Sequence, residues 1–324
     1  LAPGLRQANQ GLEIRAIAIQ QLQIMAPMVW FAGMIGIGFG TLNAADLYWL
    51  PSISPLLSSL TIIVGVGVLS LSLGGQIGTP QYALLGGMVL AIGALAGTIL
   101  QWLVQFGAQM KAGLGRFRLR FDFRDPGVKE VLNVMAPALF SSGMLQINVV
   151  TDLFFASFLP NAGAAIASLG YANLLVQTPL GILSNMILVP LLPAFSRLTE
   201  PENWDELKRL IRQGLLVTAI AMLPLSALMI ALSKPIVSIV YERGAFKPEA
   251  TQLVASVLVA YSIGMFVYLG RDVLVRVFYA LGDGNTPFRI SVVNIFLNAF
   301  FDFLLYKPLG ITGIVLATVC VNFI

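Results

Sequence analysis

The sequence predicts an all-α polytopic membrane protein, and two observations carry that prediction. Of the 324 residues, 57% are hydrophobic and 10% are charged, whereas an ordinary soluble domain carries about 25% charged residues. No charged residue occurs between Leu47 and Met110, a stretch about three times the ~20 residues that one spanning helix needs. A soluble core of this length would still need a charged outer shell.

Nine apolar segments are long enough to predict membrane-spanning helices. The ninth begins at Gly310, and the other eight cover about 22–44, 54–73, 81–107, 131–158, 164–195, 214–232, 250–281 and 288–306. The pairs Gly36/Gly40 and Gly93/Gly97 have the small-residue spacing that permits close helix packing. Because the chain begins without Met and ends inside an apolar run, we expect it to be part of a longer protein.

Basic residues concentrate at 111–130, between the first three apolar segments and the six that follow. Because Lys and Arg are retained on the cytoplasmic side, this loop and the loop 197–212 are predicted to be cytoplasmic. We therefore divide the chain into the end of an N-terminal lobe at 1–110, a basic linker at 111–130 and a C-terminal lobe at 131–324. The basic and aromatic run at 116–121 also fits a nucleic-acid patch, but contact with anionic headgroups accounts for it.

Residues 200–213 predict a helix of soluble type that lies at the membrane interface before the sixth span. Asn203 and Glu206 have the spacing of a capping box at its start. The sixth span is followed by a predicted loop at 233–249.

Composition argues against catalysis. The chain contains no His and a single Cys, Cys320, which removes histidine-based metal sites and any internal disulfide. The sequence contains no pairing of nucleophile and base, no phosphate-binding loop and no zinc-ligand spacing. We predict no catalytic residues and do not expect an enzyme.

An acidic residue, Asp152, lies inside the fourth apolar segment, with no basic residue within twenty positions. A charge there costs roughly 2.5–3.5 kcal/mol on insertion scales, so a proton, a partner or a cation must offset it. Asn298 and Asp302 share one helix face, and Thr318 lies on the next segment, one turn after Ile314. These oxygen donors suit a small hard cation such as Na⁺. The two carboxylates can equally share a proton, or pair separately with arginines or backbone amides.

Charged and amide side chains also interrupt the seventh and fifth segments. We expect Arg276 to pair with Asp272, because Arg271 and Asp272 point about 100° apart on a helix. Arg271 is then available to a phosphate-bearing substrate, since a guanidinium binds oxyanions bidentately; a buried structural pair is the alternative. On the fifth segment, Asn173 and Gln177 share a face, which either lines a polar cavity or bonds a neighbouring helix.

Five motifs occur in order along the chain, namely QINVVTDLFFASFLPNAG (146–163), YANLLVQTPLGIL (171–183), LLPAFSRL (191–198), YERGAF (241–246) and FYALGDGNTPFRI (278–290). Together they resemble the MurJ/MviN family of lipid II flippases, within the superfamily of multidrug and polysaccharide exporters. The resemblance covers nearly the whole chain. It implies fourteen spans in two lobes, of which three would precede Leu1 and two would follow Ile324.

The resemblance also implies a sodium site. Some family members bind Na⁺ through an aspartate matching Asp152, an asparagine and aspartate matching Asn298 and Asp302, and a threonine matching Thr318. A backbone carbonyl at the position of Ile314 completes the set. The spacing of these residues in the family is kept in this chain.

The chain departs from the family at several cavity positions. Asn173 stands for an aspartate, Leu174 for an arginine implicated in substrate binding, and Gln177 for a glutamate. Asp272 stands where some members have lysine, while Arg276 matches a common arginine. The candidate substrate-binding residues are Arg271, Arg276, Asn173 and Gln177.

The resemblance implies a transporter of the bacterial inner membrane. It would flip the undecaprenyl-pyrophosphate-linked peptidoglycan precursor by alternating access, coupled to Na⁺ or to the membrane potential, without an organic cofactor. Its partners would be that precursor, membrane lipids and cell-wall synthesis proteins. The alternatives are an exporter of another polyprenyl-linked glycan or amphiphile, and a scaffold that transports nothing; a scaffold has no need of an oxygen-rich intramembrane cluster.

Overall fold

A computed structural model describes residues 9–74, 82–114, 146–244 and 246–323. Every regular element in these ranges is helical. The helices are α1 (Asn9–Met25), α2 (Met28–Ala44), α3 (Trp49–Ile53), α4 (Pro55–Leu73), α5 (Ala83–Lys111), α6 (146–156), α7 (Ala162–Ser196), α8 (Trp204–Ala231), α9 (Ser233–Tyr241), α10 (Pro248–Ala280) and α11 (Asn285–Phe323).

Seven helical stretches in the described ranges are long and apolar enough to cross a membrane. They are Ala16–Ala44, Trp49–Leu73, Leu84–Lys111, Ala162–Leu188, Trp204–Ala231, Pro248–Ala280 and Asn285–Phe323. Each exceeds the ~20 helical residues that cover a ~30 Å hydrocarbon core. The predicted class, an all-α multi-pass membrane protein, is confirmed. The predicted fourth span, 131–158, lies outside the described residues up to position 145.

Helix α11 is interrupted at Gly310, where φ is 60° and ψ is −139°. Glycine alone adopts this left-handed conformation without steric cost. A Cβ atom at Gly313 would lie 2.3 Å from the carbonyl oxygen of Leu305, so a second glycine allows the two segments to approach closely. The interruption coincides with the predicted start of the ninth span.

The chain forms two compact units, one within Arg6–Phe123 and one within Arg124–Ile324. The division falls inside the predicted linker 111–130, of which residues 115–130 lie outside the described ranges.

In the N-terminal unit, glycines determine how closely α5 approaches its neighbours. A Cβ at Gly97 would lie 2.5 Å from the Cα of Ser58 on α4, so the predicted close packing at Gly93/Gly97 occurs. Gly36 and Gly40 make no close contact in the described part of the chain, because a Cβ at either would meet no described atom within 4 Å. Gly38 faces α5 instead, since it lies about 200° around the helix from both.

In the C-terminal unit, α10 is the central helix and packs against α7, α8, α9 and α11. Its buried residues run along most of its length, from Thr251 to Val277. Fully buried side chains from several helices form the core, including Val176, Leu188, Phe195, Met222, Leu258, Met265 and Ile314. Arg271 and Asp272, in the second half of α10, are partly buried.

Two predicted boundaries in this unit differ from the structure. The segment 200–213 is not a separate interfacial helix, because α8 continues without interruption to Ala231. Asn203 precedes α8 but makes no capping hydrogen bond, so the capping box does not form. The predicted loop 233–249 contains the helix α9, since Val237 is completely buried and apolar side chains at helical spacing stabilise a helix against the core.

Candidate functional site

Four polar side chains from three helical segments meet within the C-terminal unit. Asn298 donates its Nδ2–H to Asp152 Oδ1 (2.8 Å) and to Asp302 Oδ2 (3.1 Å). The Thr318 hydroxyl lies 3.3 Å from Asp152 Oδ2 and 3.4 Å from the carbonyl oxygen of Ile314. We call these four side chains and the Ile314 carbonyl the cation cluster. All five predicted ligand positions are therefore brought together.

The interruption at Gly310 makes this cluster possible. In a straight helix, Asn298 and Thr318 would lie about 30 Å apart, yet both reach the carboxylate of Asp152. The segment after Gly310 must therefore fold back along the segment before it. Asp302 precedes Gly310 by eight residues and Thr318 follows it by eight, so the two positions come to the same depth.

Two oxygen atoms of the cluster lack hydrogen-bond partners among the described residues: Asn298 Oδ1 and Asp302 Oδ1. Their residues are 1% and 0% exposed, and a buried acceptor without a partner costs about 1–3 kcal/mol. A cation between the carboxylates, the hydroxyl and the Ile314 carbonyl would satisfy Asp302 Oδ1. A half-turn of the Asn298 amide, which now presents its Nδ2 to both carboxylates, would bring its Oδ1 to the same ion. The donor set consists of oxygen atoms only, which is what hard cations prefer.

The predicted alternative of separate ion pairs with arginine is not what the described residues form. In this part of the chain, ion pairs within 4 Å join Lys208 to Asp205 and Arg271 to Asp272. Neither Asp152 nor Asp302 takes part in one. A shared proton remains an alternative to a cation at the cluster.

A first cavity of about 720 Å³ borders the cluster. Its polar lining consists of Asn148, Asp152, Asn173, Gln177, Ser184, Tyr261, Tyr268, Arg271, Asp272, Thr318 and Asn322. Three of the four predicted substrate-binding residues, Asn173, Gln177 and Arg271, line this cavity. Arg276 is not part of its lining. Leu174 is 61% exposed and is also absent from the lining.

The predicted pairing around Arg271 is wrong. Arg271 donates to Asp272 Oδ1 (3.1 Å) and to Asn322 Oδ1, whereas Arg276 makes no ion pair with any residue that the structure describes. The helical-wheel angle misled the prediction, because the long arginine side chain bends around the helix to its sequence neighbour. Arg271 is thus held at the cavity and its Nε atom stays without a partner in the described part of the chain.

A second cavity of about 490 Å³ lies between α10 and α11. Four polar residues line both cavities: Asn148, Arg271, Asp272 and Asn322. Asn148, Asn322 and Tyr268 were not predicted as site residues. The sequence spacing could have indicated Asn148 and Asn322. Asn148 precedes Asp152 by four residues and Asn322 follows Thr318 by four, which places each on the helix face of a cluster residue.

The fold and the site define a class: a helical multi-pass membrane protein with a buried oxygen-rich cluster beside a cavity. The family model described as "Lipid II flippase MurJ" matches residues 5–324. The chain belongs to this family, which confirms the resemblance seen in the motifs.

Curated relatives support the same assignment. The chain is 62% identical over 322 residues to a probable lipid II flippase MurJ of Synechocystis sp., covering 99% of this chain and 59% of the relative. It is 28% identical to a probable lipid II flippase MurJ of Rickettsia prowazekii, covering 98% of this chain and 59% of that protein. The chain thus spans about three-fifths of the length of these relatives.

Solved structures agree with the fold. A lipid II flippase MurJ in an inward closed conformation matches with a TM-score of 0.76 at 24% identity, covering 94% of this chain and 60% of that one. An inward-facing multidrug resistance transporter of the MATE family matches with a TM-score of 0.74 at 15% identity, covering 98% and 70%. At these identities the likeness concerns the fold alone.

Proposed function

We propose that this protein flips undecaprenyl-pyrophosphate-linked peptidoglycan precursor, lipid II, across the bacterial inner membrane by alternating access. The observation that carries the proposal is the match of the lipid II flippase family model over residues 5–324. Transport needs no bond to be made or broken, so no residue is assigned a catalytic role. The precursor and the surrounding lipids are the proposed partners, and cell-wall synthesis proteins are further candidates.

The first cavity is the proposed substrate-binding region of this unit. Its volume of about 720 Å³ lies in the usual range for small-molecule sites, and Arg271 brings a guanidinium that can bind a pyrophosphate bidentately. Asn173 and Gln177 offer amide groups for hydrogen bonds to the headgroup. Arg276 stays a prediction from the family pattern, since it lies outside the lining of this cavity.

The cation cluster is the proposed Na⁺ site. Asp152, Asp302, Thr318 and the Ile314 carbonyl would supply oxygen ligands, and Asn298 would present its unpaired Oδ1. Bound Na⁺ would offset the cost of two carboxylates in the membrane interior. One charge that crosses a potential of 100 mV contributes about 2.3 kcal/mol, enough to bias a two-state transporter.

We further propose nine spans in this chain. Seven candidates are present in the described ranges; α11 counts twice because of the interruption at Gly310, and α6 belongs to one more span. The C-terminal lobe would then contain six spans and the N-terminal part three. The loops 111–130 and 197–212 would lie in the cytoplasm, because their basic residues resist translocation.

Depletion of the protein in its host tests the transported substrate. Lipid II should accumulate on the cytoplasmic side, and its accessibility to a periplasmic probe should fall at least tenfold. If lipid II still reaches the periplasm at the normal rate, the protein exports another polyprenyl-linked glycan or an amphiphile. If depletion alters the distribution of no lipid-linked species across the membrane, the protein is a scaffold that transports nothing.

Ion-dependent melting tests the cation site. The melting temperature of the purified protein should be higher in NaCl than in KCl, because a ligand that binds the folded state stabilises it. The Asp302→Ala variant should lose this difference, while Asp205→Ala, a change at a fully exposed aspartate, should keep it. Equal melting in both salts would exclude a sodium-selective site.

A further inference from the structure

One face of the second segment of α11 carries a line of polar contacts. Ile314, Thr318 and Asn322 follow one another at intervals of four residues and so share that face. The Thr318 hydroxyl lies 3.4 Å from the Ile314 carbonyl oxygen, and Asn322 Nδ2 donates to the Thr318 carbonyl oxygen at 2.7 Å. This line begins in the cation cluster and ends at Arg271, which donates to Asn322 Oδ1.

Asn322 is fixed in orientation by these two contacts. Its amide nitrogen faces a carbonyl acceptor and its amide oxygen faces a guanidinium donor. A flipped amide would place donor against donor and acceptor against acceptor. The position of Arg271 therefore depends on the position of the helical turn that carries Thr318.

Arg271 is not fully bonded in this arrangement. Its Nε and the nearby hydroxyl of Tyr268, three residues earlier on the same helix, are both buried without partners among the described residues. Both residues line the first cavity, so a modest turn of the guanidinium would let a ligand oxyanion accept hydrogen bonds from the Arg271 Nε–H and the Tyr268 hydroxyl.

The interruption at Gly310 allows the second segment of α11 to move separately from the first. The cation cluster bridges the two segments, because Asn298 and Asp302 precede Gly310 whereas Ile314 and Thr318 follow it. A cation that draws these ligands together would shift the Thr318 turn, and Asn322 would move with it as part of one rigid helix. Arg271, bonded to Asn322, would follow.

We propose that Asn322 is a positioning residue that couples the cation cluster to Arg271, so that cation binding and oxyanion binding in the first cavity favour each other. This inference rests on the proposed function, since it assigns a partner process to the same cavity. Such coupling is reciprocal, because each ligand must change the affinity of the other by the same factor.

Paired titrations of the purified full-length protein test the coupling. The dissociation constant for Na⁺ is measured with and without geranylgeranyl pyrophosphate, a short polyprenyl pyrophosphate probe. In the wild type the probe should tighten Na⁺ binding by about tenfold, within the usual 5- to 150-fold range of such couplings. Na⁺ should tighten probe binding by the same factor.

Asn322→Leu removes both contacts of the amide. Its coupling factor should fall to about onefold, while its Na⁺ affinity without the probe stays within about twofold of wild type, because the cation ligands are intact. Asn294→Leu is the matched control: it lies on the same helix α11 and lines the second cavity, but it is not part of the polar line. This control should keep the wild-type coupling.

A second variant covers the case in which Asn322→Leu does not fold. Asn322→Ala also removes both amide contacts but introduces no extra bulk, so its coupling factor should likewise fall to about onefold. Wild-type coupling in either folded variant overturns the proposal. Independent binding of Na⁺ and probe to the wild type overturns the coupling alone, and absence of Na⁺ binding overturns the proposed cation site as well.

Discussion

The two units of this chain differ in the polar side chains that they place between apolar helices. In the N-terminal unit, uncharged side chains form a neutral seam between α4 and α5 that consists of Ser54, Ser58, Thr61, Gln101 and Gln105. In the C-terminal unit, the cation cluster places two carboxylates in the interior. The neutral seam holds helices together, whereas the cluster contains two carboxylates whose charge a cation or a shared proton must offset.

Most polar groups of the neutral seam have hydrogen-bond partners within the N-terminal unit. Within the seam, Gln105 Nε2 donates to Ser54 Oγ at 2.8 Å and Thr61 Oγ1 donates to the Gly93 carbonyl at 2.9 Å. One seam atom, Gln105 Oε1, lacks a partner among the described residues. A seam of amides and hydroxyls adds helix-to-helix bonds of about 0.6–2 kcal/mol each, and it gives no reason to bind an ion. Ion-dependent behaviour should therefore depend on the C-terminal unit.

The largest effect is expected in the N-terminal unit, from Gly97→Leu. The added side chain would begin 2.5 Å from the Cα of Ser58, a backbone atom that cannot move aside, so α4 and α5 must separate. We expect a loss of about 3 kcal/mol of unfolding free energy, the upper end for overpacking. Thermal unfolding in detergent measures it, with Gly86→Leu, where a Cβ meets no described atom within 4 Å, as the control.

The next effect belongs to the cation cluster. Thr318→Val keeps the shape of the side chain and removes one oxygen ligand. Na⁺ affinity should fall about tenfold, which corresponds to about 1.4 kcal/mol, while stability in KCl changes little. Isothermal titration measures the affinity, and Thr312→Val, which alters a hydroxyl that donates to the Leu309 carbonyl and lies outside the cation cluster, provides the comparison. Unchanged affinity in the Thr318 variant would remove this residue from the site.

A smaller effect is expected from Gln105→Leu in the neutral seam. The change removes the bond to Ser54 and also the unpaired amide oxygen, so the net cost should be about 1 kcal/mol. The difference in melting between NaCl and KCl should be preserved. A lost sodium response in this variant would show that the sodium dependence is not confined to the C-terminal unit.

The smallest effect concerns a loop outside the membrane. Hydrogen bonds from the side chain and backbone of Thr286, with the backbone N–H of Asn285, hold the pKa of the Asp283 carboxyl below its usual range. A lowered folded-state pKa gives stability that is present above the ordinary pKa and is lost as pH falls through the lowered value. Asp283→Asn should therefore lose slightly less melting temperature than wild type between pH 5 and about pH 3. Parallel acid curves would contradict the assignment.

The sequence predicts most of the fold because membrane insertion imposes long apolar runs on it. The candidate cation ligands could also be predicted from the sequence. Asn298 and Asp302 share a helix face, and the family pattern indicated Asp152, Thr318 and Ile314 as well. What the sequence alone could not supply is the reversal at Gly310, since only the folded chain shows that two consecutive helical segments meet at one depth.

The errors have a common physical origin in side-chain length and tertiary contact. A helical wheel places Arg271 and Asp272 on different faces, yet the flexible arginine spans the angle between them. The segment 233–249 lacks the length of a span, but burial of Val237 stabilises a helix there. Gly36 and Gly40 have the right spacing for close packing, while the partner helix lies on the other face.

The unbroken helix α8 has a consequence for how the protein is placed in its membrane. Its 28 residues extend about 42 Å, and its charged residues all lie in the first nine positions, 204–212. The remaining 19 residues cover about 28 Å, close to the thickness of the lipid hydrocarbon layer. In a thicker bilayer the charged turns would be drawn toward the acyl chains. The length of the apolar part of α8 therefore favours lipids whose acyl chains give a hydrocarbon layer of about the same thickness.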